Sequence, residues 1–475
     1  MSAPLIWWVR NDLRLADNPV LAAAASAGRP LLAVYILDEA AAGCWQPGGA
    51  SRWWLHGSLE ELGETLAALG IPLLLRRGAA PGVLAALAAD IGSDQILAAA
   101  SHEPWARQQE QATAHALGKL ARLRLLPGNL LFDPATLRNR SDRPFRVFTP
   151  FWNACLVAPA PAVPRTIPPA VRGFSGHPPS ESLADWALRP LEPDWAGGLR
   201  AVWQPGEAAA WAQWERFAAE ALADYPAQRD RPGCQGTSRL SPHLHFGEIS
   251  ARTLWHATDQ LAVAPAAKAA FLREIGWREF SAHLLWHWPS LPEQPLRRQF
   301  RDFPWRKDAP ALAAWQRGRT GYPIVDAGMR ELWASGWMHN RVRMITASFL
   351  VKDLLIHWRA GEAWFHDTLV DADLASNAAS WQWVAGCGTD AAPWFRIFNP
   401  VLQGRKFDPE GDYVRRWVPE LAGLPNRHLH APWAAPGELL TAAGIRLGKD
   451  YPLPMLDHGQ ARQRALAAFA ALGGG

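Results

Sequence analysis

The sequence predicts two structural classes in one chain: an α/β N-terminal domain with a parallel five-stranded sheet (Rossmann-like), and a larger all-α C-terminal domain. Three observations carry this. The 475 residues are about three times an ordinary single domain, more than one compact core accommodates. Short apolar runs alternate with amphipathic stretches up to residue 130, and that alternation belongs to α/β folds. Beyond residue 206 long helical periods take over, without convincing strands.

LIWWV at 5–9, LLAVYIL at 31–37, PLLL at 72–75, QILAAA at 95–100 and LRLLP at 123–127 are short and apolar, as strands buried on both faces should be. Helical patterns lie between them at 18–27, 51–69, 81–91 and 104–120. Strand and helix in alternation at this spacing make a parallel sheet wrapped by helices. Neither GxGxxG nor GxxxxGK with a following Ser or Thr succeeds any strand, which removes a nucleotide site of the glycine-loop kind. Ten prolines between Pro159 and Pro205 mark 131–205 as an extended connector. Residues 206–475 then read as the helical domain, closing on a helix near 459–472.

Composition excludes several classes. With 49% hydrophobic and 19% charged residues, the chain is a folded, soluble one rather than a disordered one. Arg29 and Pro30 interrupt the longest apolar candidate, 19–37, so no membrane span is expected. The start MSAPLIWWVRND lacks the basic, apolar, then small order of a secretion signal. Cys44, Cys155, Cys234 and Cys387 lie far apart with no CxxC, which points to a reducing cytoplasm and away from a cysteine metal site. Residues 1–200 hold 18 Lys and Arg against 17 Asp and Glu, and 201–475 hold 30 against 27. Net charge therefore does not announce a nucleic-acid binder. The anomaly is 27 Trp beside 5 Tyr: either indoles fill a large helical core, or several stack on bases or carry electrons.

Three segments of the helical half set unusual residues on shared faces. Glu274, Trp277 and Arg278 stand at i, i+3 and i+4, and Asn340, Arg343 and Met344 repeat that spacing. Asp373, Asn377 and Trp381 fall at i, i+4 and i+8, while Trp383 points elsewhere. Any one stripe reads equally well as a solvent-facing helix. Three in one domain predict a polar, aromatic-lined cavity, because buried polar groups need partners. QGTSRLSPHLHFGEIS (235–250) places Thr237 and Ser238 ahead of a helix with Pro242 near its first turn, either an ordinary N-cap or a phosphate seat. RRQFRDFPWRK (297–307), with five basic residues, one acid and three aromatics, is the best local candidate for touching a nucleic-acid backbone, and on its own reads almost as well as a solvated loop. HEPW at 102–105 is not HExxH, and His243 with His245 lack a third ligand, so no metal is assigned.

These segments resemble the photolyase/cryptochrome family. The resemblance starts at WWVRNDLRLADNPVL (7–21) and runs through FTPFWNACL (148–156), GTSRLSPHLHFGEIS, EIGWREF and AWQRGRTGYPIVDAGMREL. It continues in GWMHNRVRMITASFLVKDLL and NAASWQW to FRIFNPVLQGRKFDPEGDYVRRW (395–417). It implies an N-terminal α/β domain, 1–130, of the antenna-bearing type, and a helical domain, 206–475, that binds FAD and DNA. WMHNRVRM with Met344 resembles enzymes that repair cyclobutane pyrimidine dimers, and Asn377 matches the amide that faces flavin N5 in photolyases.

Residue by residue, the resemblance implies that Tyr225, Thr237, Ser238, Leu240 and Ser241 hold the FAD phosphates. Arg343, Asp371, Asp373 and Asn377 then surround the isoalloxazine. Glu274, Trp277, Asn340, Met344 and Trp383 line the lesion pocket, with Arg229, Arg278, Arg341 and Arg396 near the DNA. Trp381, Trp358 and Trp305 match a chain that relays electrons from the surface to the flavin. Phe271 stands where some relatives have Trp. The implied activity is that of a deoxyribodipyrimidine photolyase: reduced, anionic FAD, excited by blue light, passes an electron to a dimer flipped out of the duplex. The family's alternative is a cryptochrome-type blue-light photoreceptor without repair activity. A second antenna chromophore, methenyltetrahydrofolate or a flavin or deazaflavin, stays unassigned, since Trp105 and Ala106 replace the Asn and Glu of a folate-binding relative. The expected partner is damaged DNA carrying pyrimidine dimers. No membrane and no obligate protein partner are expected, and the chain is read as a cytoplasmic monomer.

Overall fold

The computed structural model describes residues 2–390 and 395–472. Five strands form where the apolar runs predict them: β1 (Leu5–Val9), β2 (Leu31–Leu37), β3 (Leu73–Arg77), β4 (Gln95–Ala99) and β5 (Arg122–Leu126). All pairings are parallel, in the order β3-β2-β1-β4-β5. The chain winds outward from β1 in one direction and then in the other, the doubly wound arrangement. Central β1 is buried at every residue. Edge strand β5 alternates arginine with leucine and is largely exposed, as an unpaired edge needs charge.

The crossovers are α1 (Pro19–Ala27), α2 (Gly49–Ala68), α3 (Ala80–Ile91) and α4 (Pro104–Leu117). Local chemistry sets their ends. The Asn18 side chain accepts from the N–H groups of Val20 and Leu21, and Gly28 closes α1 at φ 62°, where a Cβ would be strained. Inside the stretch expected to be extended, a helix forms: α5 (Phe148–Val157). Its Phe148, Phe151, Trp152 and Cys155 are buried at helical spacing, a period that precedes the proline-rich segment.

The described residues fall into two compact units. The first runs to Glu220 and adds Ser238–Pro289 and Val370–Ala375; the second holds Ala221–Thr237, Ser290–Leu369 and the residues from Ser376 on. In the first unit the opening motif acts as a set of buried fasteners. Trp7 Nε1 donates to Asp12 Oδ2 at 3.1 Å. Arg14 donates to the Gly247 carbonyl at 2.8 Å, and Asp17 accepts from the Ser250 hydroxyl at 2.6 Å. Glu248, fully buried, accepts from Trp54 Nε1 at 2.9 Å, the Ser58 hydroxyl at 2.5 Å and the Gly206 N–H at 2.8 Å, and pairs with His243.

The second unit is helical, with Pro323–Ser335, Asn340–Ser348, Trp358–Thr368 and His458–Ala471 among its helices and one π turn at Phe349–Asp353. Asp326 plays the part there that Glu248 plays in the first. It is fully buried and accepts from the Thr320 N–H and hydroxyl, the Gly321 N–H and the Tyr451 hydroxyl at 2.6–3.0 Å. The GRTGYPIVD segment is thus a turn folded around its own carboxylate. No helix among the described residues is long and apolar enough to cross a membrane.

Glu248→Ala leaves the buried Trp54 and Gly206 N–H groups without their acceptor and buried His243 without its carboxylate. The expected cost is about 4 kcal/mol of stability, read from urea unfolding. A loss below about 1 kcal/mol would show that water takes the carboxylate's place.

Candidate functional site

In the first unit, Pro265–His287 is one 23-residue helix, so Glu274, Trp277 and Arg278 do share a face. Phe148 of α5 lies flat on Trp277, with ring centroids 3.7 Å apart and planes 6° from parallel. Gly276 makes room for Trp152 of the same α5: a Cβ there would come within 2.5 Å of the Trp152 ring. Arg278 turns inward, donating to the Asn129 carbonyl at 2.9 Å and pairing with Glu279 at 3.2 Å. Burial pushes Glu279 up to about 7, although Arg278 and the Phe132 and Leu131 N–H groups pull the other way.

The same unit holds the segment expected to seat phosphate. Ser241–Phe246 is a helix of only six residues with Pro242 in its first turn. The Ser241 hydroxyl donates to Asp371 Oδ2 at 2.6 Å, so it is engaged by a carboxylate of the expected flavin set. Asp373 precedes the Leu374–Ala385 helix by one residue, which puts it outside the helical stripe, and it pairs with His245 at 3.7 Å.

His102, Glu103 and Asp373 bring ligand-type atoms within 4.8 Å of one another. Burial raises Glu103 to about 7 with help from Asp373, and lowers His102 to about 4. Burial works against ionised Asp373 too, but the His245 hydrogen bond and the nearby His102 outweigh it and hold that carboxyl well below its usual range. One anion thus faces a carboxyl that titrates near neutrality and a neutral imidazole, and His102 Nε2 is buried without a hydrogen-bond partner. The sequence passed over His102, Glu103 and His245 because chain separation hides their meeting.

In the second unit, Tyr225 is buried, and the Arg229 guanidinium sits 5.3 Å from its ring centroid. Thr237 is half-buried. Asn340–Ser348 carries Asn340, exposed, and Arg343 and Met344, half-buried. Arg341 pairs with Asp230 at 2.7 Å, lies over Phe407 and approaches Met344 Sδ at 3.7 Å. Arg343 Nε donates to the Met338 carbonyl at 2.7 Å. Asn377 is 8% exposed, and its Nδ2 donates to the Glu362 carbonyl at 3.0 Å. That bond settles which end of the amide is the oxygen. Burial pushes the Glu362 carboxyl well above the usual range.

Trp381 is 2% exposed, Trp358 1%, and Trp305 half-buried. The His357 ring lies 5.1 Å from Trp305 and 5.4 Å from Trp358. Gly361 is a requirement of the Trp381 seat, because a Cβ there would fall 2.1 Å from its ring. Trp383, half-buried, donates to the Asp390 carbonyl at 3.0 Å. Arg396 is exposed, 5.0 Å from the Phe398 centroid. Arg297, Arg298, Arg301, Arg306 and Lys307 are all exposed, whereas Phe300 and Phe303 are buried. The basic segment therefore turns charge outward and hydrocarbon inward.

Along nearly all its length, the chain is 49% identical over 474 residues to "Deoxyribodipyrimidine photo-lyase" of Agrobacterium fabrum, covering 99% of this chain and 98% of the relative. It belongs to the DNA photolyase family. Residues 5–169 match the family described as DNA photolyase, and 271–471 match the FAD binding domain of DNA photolyase. A crystal structure of a bacterial class III photolyase from Agrobacterium tumefaciens superposes with a TM-score of 0.97 at 49% identity, covering 100% of this chain and 98% of that one. "Cryptochrome-1" of Arabidopsis thaliana is 39% identical over 488 residues, 98% of this chain and 70% of the relative.

Two histidines that introduce site-bearing helices make the second unit acid-sensitive. His339 and His357 each cap a helix by accepting, through Nδ1, the N–H two residues on, at 3.1 Å, which only the neutral ring does. Burial holds both at about 4; Arg341 and Arg343 assist at His339 against Asp230, and Arg359 assists at His357. A histidine whose folded pKa is depressed gives stability that is complete above its unfolded value and drains as pH falls through the window from about 6.5 to about 4. Between pH 7 and 5, His339 should cost about 2 kcal/mol. His339→Asn, which caps without titrating, should flatten that slope in urea unfolding at the two pH values; parallel losses in both proteins would refute the assignment.

Proposed function

We propose that this protein repairs DNA in light, splitting cyclobutane pyrimidine dimers with an electron from reduced, anionic FAD. The observation that carries this is the full-length likeness to the Agrobacterium photo-lyases, joined to an FAD-binding domain match over 271–471. Each unit by itself carries side chains suited to a polar, partly anionic heterocycle. In the first, His102 Nε2 is a buried polar atom lacking a partner and Asp373 is an anion; in the second, Arg343 is a cation and Asn377 an oriented amide. We assign Tyr225, Thr237, Ser238, Leu240 and Ser241 to the phosphates, and Arg343, Asp371, Asp373 and Asn377 to the ring. Bound FAD supplies the electron on absorbing light.

The protein's own tasks follow from its side chains. Arg343 stabilises negative charge on the reduced ring. Asn377 offers an amide where a carboxylic acid would offer a proton. Trp277 and Trp383 give flat apolar faces to a flipped dimer, and Met344 gives an adaptable thioether. Asn340 and Glu274 hydrogen-bond the dimer's polar edge, Glu274 most usefully where charge develops on the base. Arg229, Arg278, Arg341 and Arg396 dock the backbone, Arg278 only after leaving Asn129 and Glu279. Trp381, Trp358 and Trp305 carry electrons inward when the cofactor is oxidised.

We further assign 1–130 to an antenna-type domain, 131–205 to a connector and 206–475 to FAD and DNA binding. The protein is taken as a cytoplasmic monomer with damaged DNA as its partner. A second chromophore, methenyltetrahydrofolate or a flavin or deazaflavin, stays unassigned. Two variants test the reading on oligonucleotides carrying a single dimer. Glu274→Ala should lower repair per absorbed photon about tenfold with FAD content unchanged. Trp381→Phe should block photoreduction of oxidised protein yet spare repair by pre-reduced protein. A wild-type protein that photoreduces but never restores dimers would instead be a blue-light photoreceptor.

A further inference from the structure

We infer that Phe148 is a positioning residue for lesion recognition, setting the plane of Trp277. The inference rests on the proposed role of Trp277 as a stacking face for the dimer. FTPFWNACL has no function in that reading, although α5 places its first ring, Phe148, against the central indole of the expected pocket. The stack is tight, at 3.7 Å and 6°. Phe148 is 1% exposed, whereas Trp277 is half-buried. One face of the indole is therefore closed by phenyl, and its accessible part lies away from Phe148.

Neighbouring groups fix the phenyl in turn. Trp152, one turn along α5, lies nearly parallel to Phe148, with centroids 6.4 Å apart and planes at 11°. Arg273 reaches over Phe148 at 5.2 Å, and Phe280 meets both rings edge-on at 5.9 and 6.0 Å. Gly276 leaves the space that Trp152 fills. Trp277 thus ends a column of aromatic rings held by two helices. A stacking surface discriminates between ligands only if its plane is set before binding, because ordering it later opposes affinity. Undamaged DNA, whose bases stay stacked in the duplex, makes no such demand.

The test compares affinity for a duplex with one thymine dimer and for the same duplex undamaged, on FAD-loaded protein. Phe148→Leu keeps apolar bulk and removes the ring; it should cut the dimer preference about five- to tenfold while leaving undamaged binding unchanged. Phe148→Tyr retains the ring and should restore the preference. Phe148→Met serves as a second ring-less variant should the leucine variant fail to fold, with the same loss expected. Trp277→Leu separates the two claims. If it leaves the preference intact, Trp277 does not read the lesion and the underlying assignment fails. If it abolishes the preference while Phe148→Leu and Phe148→Met keep it, the positioning role of Phe148 is overturned.

Discussion

A carboxylate removed from water must find its hydrogen bonds within the protein, and this constraint organises both units. Glu248 and Asp326 are fully buried, and each is the acceptor for several donors brought from different elements. The cost of leaving any of those donors or acceptors unpaired is large, so the segments that supply them are fixed relative to one another. In the first unit this ties α2, the turn at Gly206 and the loop after His243 into one body. Asp17 adds Ser250 and Arg252. The doubly wound sheet and the helices at 238–289 therefore form one compact unit, although their sequence periods are those of different fold classes.

Desolvation also sets the chemistry. Around Asp373 it raises Glu103 to about 7 and lowers His102 to about 4, so where three titratable groups meet only Asp373 is fully ionised at neutral pH. In its protonated form Glu103 can donate a hydrogen bond, which the carboxylate could only accept. His339 and His357 are kept neutral as well, and each spends its lone pair on a helix start.

Much of the fold was legible because its signals are local. Strands buried on both faces read as continuous apolar runs, and their observed limits differ by a residue or two from those runs. The faces carrying Glu274 with Trp277 and Asn340 with Met344 follow from helical spacing alone. Other features were not local. α5 was lost inside the stretch 131–205 read as an extended connector, yet its period of buried rings was present in FTPFWNACL ahead of the prolines. Asp373 sits before its helix and turns to His245, because a carboxylate there gains more from an imidazole than from a helical position. His102 and Glu103 meet Asp373 only through the fold, and imidazole caps are not among the residues that usually announce a helix start.

The abundance of tryptophan has two physical causes rather than one. Trp7, Trp54, Trp186 and Trp315 are buried anchors whose N–H groups end on Asp12, Glu248, Glu181 and the Thr346 carbonyl. They are explained by packing and polar satisfaction. Trp381, Trp358 and Trp305 differ in their graded burial, from 2% and 1% exposed to half-buried. An indole that gives up an electron becomes a cation, and a cation is penalised in an apolar interior and stabilised by water. In the proposed relay, positive charge is therefore poorly placed at Trp381 and Trp358 and best placed at Trp305. His357, between the rings of Trp358 and Trp305, is held neutral by burial and adds no repelling charge to the path. The difference in burial between the two inner indoles and Trp305 favours charge at the outer end, and Gly361 fixes the inner end by allowing the Trp358–Thr368 helix to press directly on the Trp381 ring.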